Sequence, residues 1–155
     1  ALGTLMKIEE LDIDVRELLD QFIIDEKELL EVDVSEQAIS SSLSKKMELF
    51  SRGWNVDCEY NRDLSSVKKL KYALSESGNI EERNVIPDII IHKRKTNHNL
   101  LAVEVKKVSN TENRFKDESK LKAFREQLGY KYTLFVDFKT GSNPKISSLV
   151  FLKNE

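Results

Sequence analysis

Two apolar runs separated by a polar turn occupy residues 85–107, whose sequence is VIPDIIIHKRKTNHNLLAVEVKK. Residues 85–92 and 99–106 have the length and the β-branched content that are typical of strands. Pro87 is tolerated because it stands near the start of the first strand, where a missing backbone donor costs little. Apolar residues fall on both faces, as in a strand that is covered by helices on both sides. We therefore predict a buried antiparallel hairpin.

The register of this hairpin places two acids opposite each other. If the turn centres near Thr96, paired residues have numbers that add up to about 192, so Asp88 faces Glu104. Opposed side chains have Cβ atoms only about 4.5–5.5 Å apart. Lys106 lies on the same face because it is two positions beyond Glu104. The hairpin thus brings two carboxylates and one ammonium together in an apolar setting.

A divalent cation would remove the two costs of this arrangement, which are repulsion between the carboxylates and their loss of hydration. Oxygen ligands from Asp88 and Glu104, completed by water, suit Mg²⁺, with Mn²⁺ as a substitute. The backbone carbonyl of Val105 is a further candidate ligand. We expect Lys106 to position or deprotonate the attacking water, or to neutralise charge in the transition state. The alternative is that these residues form a structural ion cluster. A contribution to stability would explain such a cluster poorly, because buried ion pairs stabilise a fold only weakly.

Patterns on either side of the hairpin indicate an α/β order. The predicted helices cover residues 14–31, residues 33–52 up to Gly53, a short stretch near 64–74, and residues 112–128. The other predicted strands cover residues 54–60, 131–138 and 147–152. Asp33 and Glu36 have the spacing of a capping box at the start of the second helix.

These residues resemble the signature of the PD-(D/E)xK nuclease superfamily, which restriction endonucleases, DNA-repair nucleases and junction resolvases share. Pro87-Asp88 is followed by fifteen residues and then by Glu104-Val105-Lys106. Residues 54–62 and 87–107 also look like small stand-alone bacterial members. The resemblance implies that both acids bind metal and that the lysine assists hydrolysis. It also implies a restriction-endonuclease-like αβββαβ core, with a mixed central sheet flanked by helices, over about residues 33–138.

The resemblance adds further candidate residues. Many family members carry another acid on the helix before the first strand, and Glu36 fits that place, although a capping glutamate is the simpler alternative. Lys120 is a candidate for substrate phosphate, against the alternative of an exposed helical lysine. Arg62 and Lys107 are also candidates for substrate binding. His92 shares the Asp88 face by parity, four residues further along the strand.

Composition and charge limit the class of protein. The chain has 155 residues, of which 39% are hydrophobic and 34% charged, as in a globular domain. Its single cysteine, Cys58, forms no internal disulfide, so we expect a reducing, cytoplasmic location. Residues 1–36 carry 12 acids and 3 bases, which leaves 15 acids and 22 bases in residues 37–155. We predict an acidic N-terminal helical segment, 1–32, followed by a basic nuclease-like domain, 33–155.

The expected function is that of a Mg²⁺-dependent nuclease acting on DNA. The alternative is a non-catalytic module of the same fold that binds nucleic acid or a protein partner. RNA and branched DNA remain open as substrates, because no base-reading motif is evident. We expect no membrane association, since no apolar run approaches the roughly 18 residues of a membrane span. The first helix is a candidate interface for a homodimer.

Overall fold

The structure, a computed structural model, describes residues 5–59, 68–73, 80–111 and 114–154. The helices within these ranges are α1 (Val15–Asp25), α2 (Lys27–Glu31), α3 (Glu36–Glu48) and α4 (Arg114–Leu128). The strands are β1 (Lys7–Ile8), β2 (Ile13–Asp14), β3 (Asn55–Cys58), β4 (Lys68–Ala73), β5 (Ile80–Val85), β6 (Ile89–His92), β7 (Asn99–Lys107), β8 (Tyr132–Lys139) and β9 (Lys145–Lys153). None of the described helices is long and apolar enough to cross a membrane.

A five-stranded mixed sheet with the order β3-β6-β7-β8-β9 forms the centre of the molecule. The strands β3, β6 and β7 are antiparallel neighbours, whereas β7 and β8 run parallel. The parallel step requires a crossover connection, and α4 provides it. The strand β9 then pairs antiparallel with β8. The mixed sheet and its helices confirm the predicted α/β class.

The register of β6 and β7 agrees with the prediction. Ile89 pairs with Val103 and Ile91 with Leu101, so the numbers add up to 192 as expected. Asp88 directly precedes this ladder, and the same register continues to Glu104 on the opposite strand. The pairing shifts between Ile91 and His92.

The two faces of the sheet bury separate apolar clusters. The odd-numbered residues Leu101, Val103 and Val105 of β7 face the cluster that contains the buried sides of α1 and α3. The even-numbered Ala102 faces Phe124 and other residues of the cluster under α4. Side chains alternate along a strand, so Glu104 and Lys106 lie on the α4 face. This double cover explains the almost uninterrupted apolar sequence of β7.

The acidic N-terminal segment packs into the same core as the sheet. The predicted helix 14–31 is divided at Glu26 into α1 and α2. Phe22 is fully buried, and its ring lies 5.7 Å from that of Phe138 on β8. Leu30 is also fully buried. The segment 1–32 and the rest of the chain therefore share one hydrophobic cluster, while the acidic side chains lie on the outer side of α1.

The short helix predicted near residues 64–74 was wrong where the structure describes it. Lys68–Ala73 is the strand β4, which pairs antiparallel with β5. Leu70 and Tyr72 alternate with lysines in this stretch, and that period of two is typical of a strand. The backbone hydrogen bonds of β4 are made with β5, the next strand along the chain, whose sequence IEERNV carries only a weak strand pattern. The remainder of the predicted helix, 64–67 and 74, lies outside the described residues.

The capping box at the start of the second helix was also wrong. The helix α3 begins at Glu36, and the Ser35 hydroxyl accepts a hydrogen bond from the Ala38 backbone N–H at 3.1 Å. Asp33 lies outside the helix, where its carboxylate pairs with Lys107 Nζ at 2.9 Å. A serine with extended backbone torsions directly before the first turn is a better acceptor than an aspartate two residues earlier.

We expect Ser35→Ala to lower the free energy of unfolding by about 1 kcal/mol, because it removes the capping acceptor of α3. Asp33→Ala should cost less than about 0.5 kcal/mol, since the Asp33 side chain is 84% exposed and its ion pair is screened by solvent. Urea denaturation of both variants at neutral pH measures the difference. Equal losses of stability in the two variants would indicate that Asp33 caps the helix as predicted from the sequence.

Candidate active site

Asp88 lies at the beginning of β6, and its carboxylate reaches across to β7. Its Oδ2 accepts a hydrogen bond from the Val105 backbone N–H at 2.7 Å. Its own backbone carbonyl accepts one from the Glu59 N–H at 2.9 Å. The last pair of the β6–β7 ladder is Ile89 with Val103. Beyond this last pair, the Asp88 carboxylate therefore takes the place of a main-chain acceptor for the backbone of β7.

This contact also orients the carbonyl of Val105. Paired strand residues exchange both N–H and C=O bonds, so the two groups of one residue point to the same side of a strand. Since the Val105 N–H points at Asp88, the Val105 carbonyl points to that side as well. The carbonyl is thus available to a ligand shared with the Asp88 carboxylate.

Glu104 is almost completely buried, with 3% of its surface exposed. Its Oε1 lies 2.9 Å from Nζ of Lys120, which reaches it from α4. Among the described residues this oxygen forms no hydrogen bond of regular geometry beside that ion pair. Burial, and then repulsion from Asp88, raise the pKa of Glu104 well above its ordinary value, against the opposing charge of Lys120.

The electrostatics of Asp88 and Lys120 follow from the same burial. Burial raises the pKa of Asp88 to about 6, although the Val105 N–H and the charge of Lys120 oppose the shift. Burial alone would lower the pKa of Lys120, but the carboxylates of Glu104 and Asp88 raise it above its ordinary value. The two acids therefore resist ionisation, and Lys120 is held in its charged form.

Lys106 lies on the same face and has a carboxylate of α4 above it. Its Nζ is 3.7 Å from Oδ2 of Asp117, and both side chains are at least nine-tenths buried. The predicted set of Asp88, Glu104 and Lys106 is therefore on one side of the sheet, beneath the first half of α4. The side chains that α4 adds to it are Asp117 and Lys120.

Sequence reasoning missed two residues beside this set. Asp137 of β8 is the parallel neighbour of Lys106, and its Oδ2 accepts hydrogen bonds from Arg114 Nη2 and Nε at 3.0 and 3.2 Å. Arg114 also donates to the backbone carbonyl of Lys107 at 3.2 Å. The available signal was an aspartate inside an otherwise apolar strand, which is the same signal that identified Glu104.

Glu36 lies apart from Asp88 and Glu104. Its Oε2 accepts hydrogen bonds from the Lys107 backbone N–H at 2.8 Å and from Asn110 Nδ2 at 2.9 Å. It belongs to α3, which packs on the face of the sheet opposite to α4. The structure therefore gives Glu36 the role of holding the end of β7, and its role as a metal ligand stays a prediction.

The other candidates for substrate binding have different surroundings. Lys107 Nζ pairs with the exposed Asp33 on the side of α3. Arg62 lies outside the described residues. His92 stands at the far end of β6, where its Nε2 is 2.6 Å from Oδ2 of Asp57. These residues do not join Lys106 and Lys120 in the described structure, and their binding roles stay predictions.

The chemistry of the two carboxylates fits Mg²⁺. No group of three or more His, Cys, Asp or Glu side chains in the described part of the chain could hold a metal ion. Mg²⁺ is nevertheless commonly bound through one or two carboxylates and several waters, so Asp88 and Glu104 suffice in number. Both have pKa values raised by burial, and a divalent cation would offset the cost of their charge. The Val105 carbonyl, on the same side of β7 as the N–H that binds Asp88, is the third candidate oxygen.

We expect Asp88→Asn to stabilise the metal-free protein by up to about 3 kcal/mol at pH 8. The pKa of Asp88 is raised from 3.8 to about 6, so its ionised form disfavours the folded state above that pH. As the pH falls from 6 towards 4, the folded protein takes up the proton and the advantage of the variant shrinks. Urea denaturation in EDTA at several pH values measures this, with the exposed Asp20→Asn as control. A variant less stable than wild type at every pH would contradict it.

Comparison of the chain with protein-family models, with curated proteins and with solved structures finds no match. The interpretation of the site therefore depends on the residues themselves and on their geometry.

Proposed function

We propose that this chain is a metal-dependent nuclease that hydrolyses phosphodiester bonds, with DNA as its substrate. The observation that carries the proposal is the convergence of Asp88, Glu104 and Lys106 on one face of the sheet. Asp88 is hydrogen-bonded to the backbone of Val105, which lies between the other two. The succession α3-β3-β6-β7-α4-β8 supports a restriction-endonuclease-like αβββαβ core, with the β4–β5 hairpin as an insertion.

In this proposal Asp88, Glu104 and the Val105 carbonyl would hold Mg²⁺. The ion, when bound, polarises the phosphoryl oxygen and lowers the pKa of a bound water. Asp88 is oriented for this role by the Val105 N–H. Glu104 is oriented by its burial between the sheet and α4, so both carboxylates are held in place before substrate arrives.

Lys106 would orient the attacking water or stabilise negative charge on the phosphate. Asp117 keeps its ammonium on the α4 face, 3.7 Å away. Lys120 Nζ lies 2.9 Å from Glu104 Oε1, and its ammonium has further N–H groups that would donate to a substrate phosphate. A metal ion at Glu104 would compete with Lys120 for that carboxylate.

The charge distribution supports a polyanionic partner. Residues 37–155 carry 22 bases against 15 acids, and most of the acidic excess is confined to residues 1–36. A basic body attracts nucleic acid through its phosphates, independently of sequence. We therefore expect binding that weakens steeply as salt concentration rises.

One observation favours the alternative of a non-catalytic binding module. Lys120 already pairs with Glu104, and Lys106 already pairs with Asp117, so two of the buried carboxylates have a cationic partner without a metal. In that case the protein should bind nucleic acid equally well in Mg²⁺ and in EDTA. It should also leave the bound nucleic acid uncut.

A cleavage assay on plasmid DNA, single-stranded DNA and single-stranded RNA tests the proposal, with Mg²⁺, Mn²⁺ or EDTA. We expect cleavage with either metal and none in EDTA. Asp88→Ala and Lys106→Ala should each abolish it, whereas Lys116→Ala, an exposed lysine of α4, should not. Activity that persists in both site variants would point to a contaminant or to another site. No cleavage of any substrate by wild type would favour the binding module.

A further inference from the structure

A cavity of about 700 Å³ lies beside β6, on the face of the sheet that carries Asp88. It extends from the residue before Asp88 to the turn of the β6–β7 hairpin and to the end of α4. Its lining residues include Pro87, Ile90, His92, Asn99, Gln127 and Tyr130, with Lys95 and Asn97 at the rim. Its volume is in the range of cavities that bind small organic ligands.

One wall of the cavity is apolar and rigid. Ile90 and Tyr130 are 1% and 5% exposed, and both belong to the cluster packed under α4. The Tyr130 ring is braced edge-on by Phe124, at 6.1 Å between ring centroids. Pro87 completes this wall next to Asp88 and has no side-chain polar group. Because Ile90 and Tyr130 are almost completely buried, they close the floor of the cavity, and its polar lining residues determine which ligand fits.

His92 lines the cavity from the same strand as Ile90, and a carboxylate holds its ring in place. His92 Nε2 lies 2.6 Å from Asp57 Oδ2, which also accepts a hydrogen bond from Arg94 Nε at 3.0 Å. Arg94 is the main cause that lowers the pKa of Asp57 to about 2, so this group stays a carboxylate. It holds the proton on Nε2 and leaves Nδ1 as an acceptor in the neutral ring.

Side-chain amides supply the other polar groups. Asn99 Nδ2 donates to the Leu128 carbonyl at 2.8 Å, which fixes the amide and directs its Oδ1 away from that carbonyl. Gln127 and Asn97 stand at the exposed rim of the cavity. Amide groups match the donor and acceptor pairs on the edges of nucleobases, and Lys95 at the same rim suits a phosphate.

The cavity lies where a nucleic-acid strand that passes over Asp88 could place one of its bases. Pro87 is the immediate neighbour of Asp88, and His92 lies four residues further along β6, about 13 Å away at the usual rise of a strand. A nucleic-acid strand whose phosphate lies at Asp88 could therefore place an adjacent base between these two ends.

We propose that this cavity is a nucleobase-binding site, which receives an unpaired base next to the bond that is cut. The inference rests on the proposed nuclease function for the position of the strand. The base would lie over the closed floor that Ile90 and Tyr130 form, and its edge would meet His92 and the amides. A base can enter only when it is unstacked, so single-stranded or frayed nucleic acid is the preferred substrate.

Titration of the full chain in EDTA with the four deoxynucleoside 5′-monophosphates, followed by NMR, tests the site without cleavage. We expect the ring signals of His92 and the side-chain amide signals of Asn99 to shift, with affinities that differ between the bases. The double variant Asn97→Ala/Gln127→Ala should weaken binding about tenfold through lost hydrogen bonds. The matched control is Gln37→Ala, an exposed glutamine of α3, which should bind as wild type does.

Absence of nucleotide binding would overturn the inference, as would equal affinity in the double variant and the control. Both substituted residues are exposed, so circular dichroism should show an unchanged fold. The experiments distinguish a failure of the base-site proposal from a failure of the nuclease proposal. Nucleotide binding without any cleavage would overturn the nuclease proposal and leave the cavity as a base site. Cleavage without nucleotide binding, and without preference for the flanking base, would overturn the base site alone.

Discussion

Replacement of Glu104 by glutamine is expected to reduce Mg²⁺-dependent cleavage about a thousandfold and to weaken Mg²⁺ binding. The variant keeps the size of a side chain that is 3% exposed, but it removes one of the two charges proposed to hold the ion. A thousandfold loss corresponds to about 4 kcal/mol of transition-state stabilisation, which is within the range attributed to metal-ion catalysis. The fold should survive, because burial disfavours the ionised form of Glu104 and the glutamine amide oxygen can still accept a hydrogen bond from Lys120 Nζ.

The measurement separates binding from chemistry. Cleavage rates are determined over a range of Mg²⁺ concentrations, and the ion affinity is determined independently by calorimetry. The matched control is Glu118→Gln, which changes an exposed glutamate on α4 and should leave both quantities unaltered. Wild-type rates in Glu104→Gln at saturating Mg²⁺ would show that this carboxylate takes no part in the reaction.

Replacement of Lys120 by methionine is expected to lower the free energy of unfolding by about 3–5 kcal/mol at pH 8 in EDTA. Methionine fills a similar volume, but it leaves the Glu104 carboxylate buried without the ammonium that now lies 2.9 Å away. The pKa of Glu104 is already raised by burial, so its folded form takes up a proton as the pH falls. The loss should therefore shrink with decreasing pH, because protonation removes the uncompensated charge.

Two further variants test the cause of this loss. The double variant Glu104→Gln/Lys120→Met should recover most of the stability, since it removes both charges together. Lys122→Met alters a lysine of the same helix whose side chain is 66% exposed, and should change stability by less than about 0.5 kcal/mol. Mg²⁺ should stabilise Lys120→Met more than wild type, because the carboxylate no longer competes with an ammonium. A loss no greater than that of Lys122→Met would contradict the buried ion pair.

The sequence was sufficient to predict the hairpin and the placement of its candidate site residues. Strand periodicity is strictly two, so the parity of Asp88, Glu104 and Lys106 follows from their numbers once the turn is located. The observed pairs Ile89–Val103 and Ile91–Leu101 confirm that register. The long helices and the α/β class could also be predicted, because their apolar patterns extend over enough residues to be unambiguous.

The elements that were mispredicted have weak local patterns or depend on the details of a single turn. The strand β4 has weak apolar alternation and owes its backbone hydrogen bonds to β5. The cap of α3 is Ser35 rather than Asp33, a difference of two residues that periodicity does not resolve. The secondary-structure propensity of the residues is only a weak indication of the local structure in both cases, and contacts with the rest of the fold override it.

The α/β class, the hairpin register and the shared face of Asp88, Glu104 and Lys106 follow from local patterns, because alternation and turn position are properties of adjacent residues. The contacts that α4 makes with this face follow from three-dimensional packing. The pairing of Lys120 with Glu104, of Asp117 with Lys106 and of Arg114 with Asp137 requires the rotation and height of that helix above the sheet. Periodicity identifies which side of a helix is apolar, but the positions of its charged side chains over another element depend on how the two surfaces fit together.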